Sequence, residues 1–478
     1  MERIYTGIRK FRDFPRELLY KENWRGRSLV LLIAACGLGI VTAYSVWVGL
    51  LATICFAYCF VVYLNPIYGI YITIFFIPIM TINIVYDNPT RTPHELYPLG
   101  AVFFLFSYAA MMIRRGVLGD HGREVRSNGR YILLFFVAWC AVTFFWTLDS
   151  AHGLNMFVML LLGIMVMQII ENDVIDRKAV RSIMVCVAIS GFIWAGIMLF
   201  SFYWYGTIYE ARLMERISVI IEIFTENKRI GGFGPPQSAS NTLGMVIFFL
   251  VALWPDAGWR ARIFYLIVGY LCVMAMLIAA SKGAIGALLA GLVLTILIDA
   301  KLRRKAILMV SSVVAFFVIV YLLNIVLLNQ QRLTASTKVA TASLTARLGF
   351  WDTGFKSLFE DRWFGNGIGG YASLVDPVPG AHSIYFDVLF DGGVIAIVLF
   401  ILFVLIRFFS DRMDLLRRND DFYSRKYNCL VGALAMFFIH SLVDLSYISR
   451  HFWMMLGISG AMAAIARRES TSKGAASD

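Results

Sequence analysis

Ser343 to Gly393 reads SLTARLGFWDTGFKSLFEDRWFGNGIGGYASLVDPVPGAHSIYFDVLFDGG. It is the longest polar interval in a chain that is otherwise almost continuous hydrocarbon, and it holds Arg347, Trp351, a glycine cluster and His382. Its polarity is defined by what surrounds it. Hydrophobic residues make up 59% of the chain and charged residues 15%, where soluble domains carry about a quarter charged. The mean hydropathy is +0.73. Apolar runs long enough to cross about 30 Å of hydrocarbon as helices recur along nearly the whole length. Strands alternating with period two, as a barrel needs, are absent, so the fold class is an all-α polytopic membrane protein.

Spans are expected near 28-44, 46-64, 67-86, 96-113, 131-147, 154-170, 180-205, 239-254, 261-279, 283-299, 306-327, 393-409, 427-447 and 450-466, giving about 12 to 14 transmembrane helices. Alternate gaps between them are basic: Arg114 to Arg130, Arg177 to Arg181, Arg260/Arg262, Lys301 to Lys305, and Arg407 to Lys426. By charge bias those gaps and both termini face the cytoplasm. The two long polar loops, 206-238 and 328-392, then face the opposite side. Residues 1-27 form a basic cytoplasmic leader lying on anionic lipid, 28-327 a helix bundle, 328-392 a large outer loop, 393-466 the last helices and 467-478 a cytoplasmic tail.

The net charge of +12 is accounted for by these loops, and no aromatic-interleaved basic patch points to nucleic acid. The seven cysteines lie mostly inside apolar runs without metal-ligand spacing and read as small packing residues. His440 and His451 read as packing or interface residues.

Within the second loop, Leu344 to Phe359 has helical spacing, with Leu348, Trp351, Phe355 and Leu358/Phe359 on one stripe and Arg347 on its edge. The expectation is an amphipathic helix at the outer membrane surface. Arg347 either binds an anion there or snorkels to the headgroups. Trp363 to Gly370 supplies a flexible turn. Pro377, Pro379 and Gly380 stop regular structure before His382, at a helix start. A neutral imidazole there can accept a proton from a sugar hydroxyl, or can simply cap the helix.

In the first loop, Arg212, Arg216, Lys228 and Arg229 precede a glycine-rich turn running into a helix, which suits a phosphate as well as an unwound entry segment. Lys282, in Ser281-Lys282-Gly283, adds a cation or snorkels. Cations with one histidine and no paired carboxylates suit a pyrophosphate-bearing substrate handled without a metal. No Walker A sequence is present.

In this order of motifs the chain resembles the O-antigen ligase and Wzy-type polysaccharide polymerase superfamily. The matching pieces are Arg229-x-Gly-Gly-Phe-Gly-Pro-Pro-Gln, Ser281-Lys282-Gly283, Arg347-x-x-x-Trp351, Trp363-Phe364-Gly365-x-Gly-x-Gly, and His382-Ser383 with Gly393 beyond it. The resemblance covers roughly residues 228 to 410. It implies a GT-C-like helical fold and an inner-membrane glycosyltransferase with an undecaprenyl-pyrophosphate-linked glycan donor. Transfer to a glycan or lipid A-core acceptor would occur on the periplasmic face, with no metal or other cofactor.

It also implies His382 as catalytic base and Arg347 and Arg229 as pyrophosphate ligands, with Arg212, Arg216 or Lys282 in reserve and Trp351, Ser383 and Gly393 in support. A chain-length regulator is a further implied partner. Lys282 replaces the family's usual arginine, Ser383 its asparagine, and Ala396 stands at the small-or-tyrosine position. These departures favour a polymerase over a ligase. The rival reading is a transporter or lipid-carrier flippase without covalent chemistry, favoured by the broken-helix character of Gly231 to Pro236 and opposed by the scarcity of ionisable residues inside the spans.

Overall fold

A computed structural model describes residues 129-208, 236-279, 281-298, 330-360, 362-375, 380-416, 421-442 and 449-474, with parts of 53-77 and 105-112. The chain divides into two units. The smaller comprises Met1-Thr73 and Tyr97-Val125, the larger Ile74-Leu96 and Arg126-Asp478. The first described helix, α1 (Pro66-Phe76), lies mostly in the smaller unit. There a side chain at Gly69 would press on Val62, and Tyr58 and Thr73 both hydrogen-bond the buried Ser107 hydroxyl.

The larger unit contains α2 (Arg130-Thr143), α3 (Ser150-Asp173), α4 (Arg177-Ile208), α5 (Pro236-Leu253), α6 (Trp259-Ile278), α7 (Lys282-Ile298), α8 (Gln330-Glu360), α9 (Ile384-Leu416), α10 (Asp421-His440) and α11 (Arg450-Gly474). Among the described residues five helices are long and apolar enough to cross a membrane. With no strand among those residues, the protein is an all-α, multi-pass membrane protein. Helices fall on the expected spans 131-147, 154-170, 180-205, 239-254, 261-279 and 283-299 and on the last three. The spans expected at 28-44 and 306-327 lie outside the described residues, and those at 46-64, 67-86 and 96-113 are described only in part.

Two helices form the axis of the larger unit. Every residue from His451 to Ala466 on α11 and from Ala239 to Leu250 on α5 is buried. α11 packs on α3, α9 and α10, while α5 packs on α4, α6, α7 and α10. Small residues set the close approaches, as they must where lipid supplies no hydrophobic drive between helices. An added carbon at Gly291 would lie 2.5 Å from the Gly432 carbonyl, and one at Gly457 would lie 3.0 Å from the Met167 Cα.

A buried charge network closes one end of the bundle. Arg407 (1% exposed) pairs with Glu171 of α3 and lies 3.1 Å from Asp411, whose carboxylate accepts from Ser459 Oγ at 2.7 Å. Lys426 pairs with Asp256, Arg177 with Glu469 at 2.7 Å, and Arg467 with Asp414 at 2.9 Å. Arg407 and Lys426, the two ends of the basic run from Arg407 to Lys426, are thus internally paired at one end of the bundle, and α9 runs on to Leu416 where the sequence suggested a span ending near 409. The opposite end gathers the starts of α3, α5, α7, α9 and α11.

Candidate active site

At that second end the site is built on a helix that breaks once. α9 is interrupted at Gly393, whose φ of 70° and ψ of -169° are non-helical. Its first nine residues, Ile384-Gly392, leave the line of the span. A break frees carbonyls that a helix would satisfy, and each costs free energy if it stays unpaired in an apolar setting. Here foreign donors take them. Asn366 gives both its backbone N-H (2.8 Å) and its side-chain Nδ2 (3.0 Å) to the Phe390 carbonyl, and Trp139 Nε1 gives to Gly392 at 2.7 Å.

The run Trp363 to Gly370, expected to be a flexible turn, is instead a wedge in this break, exposed at Trp363 and Phe364 and buried from Gly365 to Gly370. Gly365, Gly367 and Gly369 have φ of 88°, 85° and 68°, a region that side chains strain to enter. Added carbons at Gly365 and Gly367 would collide with Asp391 and Thr147 backbone. Around them Trp146 Nε1 reaches the Gly365 carbonyl at 3.2 Å and Thr147 Oγ1 the Ile368 carbonyl at 2.9 Å. Asn366 is fully buried and accepts from Ser357 Oγ at 2.8 Å, tying the wedge to α8.

α8 extends further back than Leu344-Phe359 alone suggests, to Gln330. The face it buries is also shifted from the stripe expected. Trp351, Gly354, Phe355 and Leu358 face the protein, whereas Leu348 and Phe359 are exposed. Trp351 and Phe386 rings lie 4.8 Å apart, Phe355 and Phe390 5.2 Å, and Tyr371 and Phe390 4.8 Å. Such pairs contribute roughly 0.5 to 1.5 kcal/mol each beyond the area they bury. The Tyr371 hydroxyl donates to the Phe350 carbonyl. Burial, with Asp387 and Asp391 nearby, pushes its pKa above the ordinary value and keeps it a donor.

His382 stands where α8 meets the start of α9. Among the described residues it is the one non-glycine with positive φ, at 53°. A single such residue costs on the order of 1 to 3 kcal/mol, so its surroundings must over-determine it. Ala381 before it is fully buried. Its carbonyl accepts from Trp351 Nε1 at 2.8 Å and its N-H donates to Asp387 Oδ1 at 2.7 Å. On the other side, Ile384 N-H donates to the Ser441 carbonyl at 3.1 Å and Asp387 N-H to the Ser383 carbonyl at 2.7 Å. The Phe350 and His382 ring centroids are 6.4 Å apart.

The structure therefore brings together His382, Ser383 and Trp351, while Gly393 lies further along α9, at the break against the Phe364 backbone. Half-buried Arg347 sits one turn before Phe350 and Trp351 on α8, beside the histidine's aromatic neighbour. Ser383 is buried with its hydroxyl unpartnered. Lys282 is exposed at the start of α7. It is as far along α7 from Gly291 as Ser441 is along α10 from the facing Gly432, so it reaches the level of the α9 start. Arg212, Arg216 and Arg229 lie outside the described residues. Of the remaining histidines, His451 packs against Thr242 with Nε2 3.0 Å from its hydroxyl.

The break, the wedge and His382 all fall inside one recognisable stretch. Residues 267-401 match the O-antigen ligase family model. The match runs from α6 to the first half of the α9 span, taking in Lys282, Arg347, Trp351, His382 and Gly393. It supports membership of the O-antigen ligase and polymerase superfamily and, broadly, a glycosyltransferase-like activity on lipid-linked glycan. No curated protein matches the chain. Asp387, Asn366 and Phe350, which hold the site's backbone, carry no motif of their own in the sequence. The four-residue spacing of Asp387 and Asp391 was the available signal.

Proposed function

We propose that this protein is an inner-membrane glycosyltransferase that moves a glycan from an undecaprenyl-pyrophosphate donor onto an acceptor sugar hydroxyl at the periplasmic face. His382 removes the acceptor proton. The acceptor oxygen bonds to the anomeric carbon as the bond to the pyrophosphate oxygen breaks, and the electron pair leaves with undecaprenyl pyrophosphate. Arg347 and Arg229 neutralise that leaving group, with Arg212, Arg216 and Lys282 as further cations. Preorganised cations do the work a metal would otherwise do, and a single in-line displacement inverts the anomeric configuration.

The observation that carries the reading is the backbone of His382, held in a costly conformation from both sides within the family-matched stretch, with the Arg347 helix packed over it. A histidine serving only as a cap would gain nothing from that strain. A polymerase, with a second repeat unit as acceptor, is favoured over a ligase by Lys282, Ser383 and Ala396. The topology that goes with it has both termini cytoplasmic and the loops 206-238 and 328-392 periplasmic, with a multi-pass domain plan as laid out from the sequence.

The test is a gel of glycan products from purified protein in liposomes supplied with a lipid-linked oligosaccharide, wild type against His382→Ala. A ladder spaced by one repeat and lost in the variant is expected. A single shift dependent on lipid A core makes the enzyme a ligase, and wild-type transfer by His382→Ala sinks the mechanism. Absence of product with every acceptor, together with ion-coupled flux of the lipid-linked glycan, supports the transporter instead.

A further inference from the structure

The peptide ahead of His382 is held by two groups of unlike chemistry. From α8, Trp351 Nε1 fixes the Ala381 carbonyl; from α9, the Asp387 carboxylate fixes the Ala381 N-H at 2.7 Å. Asp387 is 6% exposed. Burying a carboxylate beside Gly380 and Tyr371 is unfavourable unless it is well satisfied, and an apolar residue would fill the same space at no such cost. What the carboxylate gains is a charge-assisted hydrogen bond to one particular amide, from a position in the first turn of α9 where the helix dipole favours negative charge. The chain is shaped to admit it: Gly380 has φ of 118°, and a carbon added there would lie 2.9 Å from Asp387 Oδ1.

We propose that Asp387 is a positioning residue for His382, its carboxylate setting the left-handed backbone of the histidine through the Ala381 N-H and so aiming the imidazole at the acceptor hydroxyl. This rests on the reading of His382 as the base. It assigns Asp387 no contact with substrate. The requirement is for an acceptor oxygen at that point in space, and an amide oxygen at the same place serves nearly as well.

The experiment compares Asp387→Asn and Asp387→Ala in the full chain, in liposomes with the lipid-linked donor, and reads amide exchange over 380-390 in parallel. The Asn variant keeps the hydrogen bond and transfers within about threefold of wild type. The Ala variant loses roughly ten- to a hundredfold in kcat, as expected for a base displaced by about an ångström, with KM for the donor unchanged. Exchange at Ala381 accelerates at least about tenfold in Asp387→Ala and not in Asp387→Asn. In a His382→Ala background, Asp387→Ala causes no further loss.

Gly380→Ala, which crowds the carboxylate without removing it, gives the same selective fall in kcat should Asp387→Ala not accumulate. Wild-type kcat in Asp387→Ala overturns the proposal, as does an Asn variant as damaged as the Ala variant or a loss confined to KM. If His382→Ala transfers normally, the assignment of the base is what has failed. The exchange at Ala381 still decides whether Asp387 holds that peptide.

Discussion

Trp351 Nε1 donates to the carbonyl of Ala381 at 2.8 Å, so the helix that carries Arg347 is pinned to the residue next to His382. Two side chains carried by separate segments keep a fixed separation only if something locks the segments together, and this bond does so from inside an aromatic cluster. Trp351→Phe keeps most of the ring contact and deletes the donor, leaving a buried carbonyl unpaired at a cost of about 1 to 3 kcal/mol. The expected outcome is a transfer rate reduced roughly ten- to a hundredfold, with a smaller fall in thermal unfolding temperature. A rate equal to wild type in reconstituted liposomes would show that the lock is dispensable.

Gly393 answers to a different constraint. A side chain there would collide with Phe364 backbone, and the φ of 70° is itself disfavoured for any other residue. Gly393→Ala should lower stability by several kcal/mol, on the scale of strained positions plus overpacking. Gly286→Ala, with open space around it, should leave the melting temperature in detergent unchanged. Equal melts for the two would mean the break in α9 is not required.

The buried group of Arg407, Glu171 and Asp411 predicts an asymmetry between single and paired changes. Arg407→Ala strands two acidic groups that are 2% and 1% exposed and should cost about 3 to 5 kcal/mol. Arg407→Met combined with Glu171→Gln and Asp411→Asn should recover most of that loss. Thermal unfolding in detergent reads both, and a triple variant no better than the single one would assign the loss to packing.

Alkaline pH offers a check on Tyr371. Its hydroxyl has a pKa raised above 10.0 by burial first and by the neighbouring carboxylates second. Below pH 10 both folded and unfolded states hold the proton and nothing changes. Above it the unfolded chain ionises first, so the folded state loses stability as pH rises. Tyr371→Phe should flatten part of that alkaline decline while costing about 1 kcal/mol at neutral pH for the lost bond to Phe350. An unchanged alkaline slope in the variant would refute it.

The apolar runs and loop charges made the membrane class and most of the described helices legible, since length and hydropathy are properties of a segment by itself. His382, Ser383, Trp351 and Gly393 were legible as a set through their order along the chain. What stayed hidden depends on which faces meet. Leu348 fits the helical stripe as well as Phe355 does, yet only the packing of α9 selects the shifted face. The wedge at Gly365 to Gly369 read as flexible because glycines permit both a loose turn and a tight one. Arg407 read as a loop cation because its partner, Glu171, is distant in the chain.

The seam between α3 and α11 bears on how the molecule is made. Gly163 packs against the Trp453 ring and Glu171 lies beside Gly460, so an early helix and a late one share one surface. At roughly 5 to 20 residues per second, α3 waits on the order of fifteen seconds to a minute in the bilayer before α11 is synthesised. During that interval the surface around Gly163 lacks its Trp453 partner, and Glu171 lacks Arg407 until α9 is made. Biogenesis, rather than folding of a finished chain, is therefore the stage at which damage to α11 is first felt, and nascent protein lacking it is a natural substrate for membrane quality control.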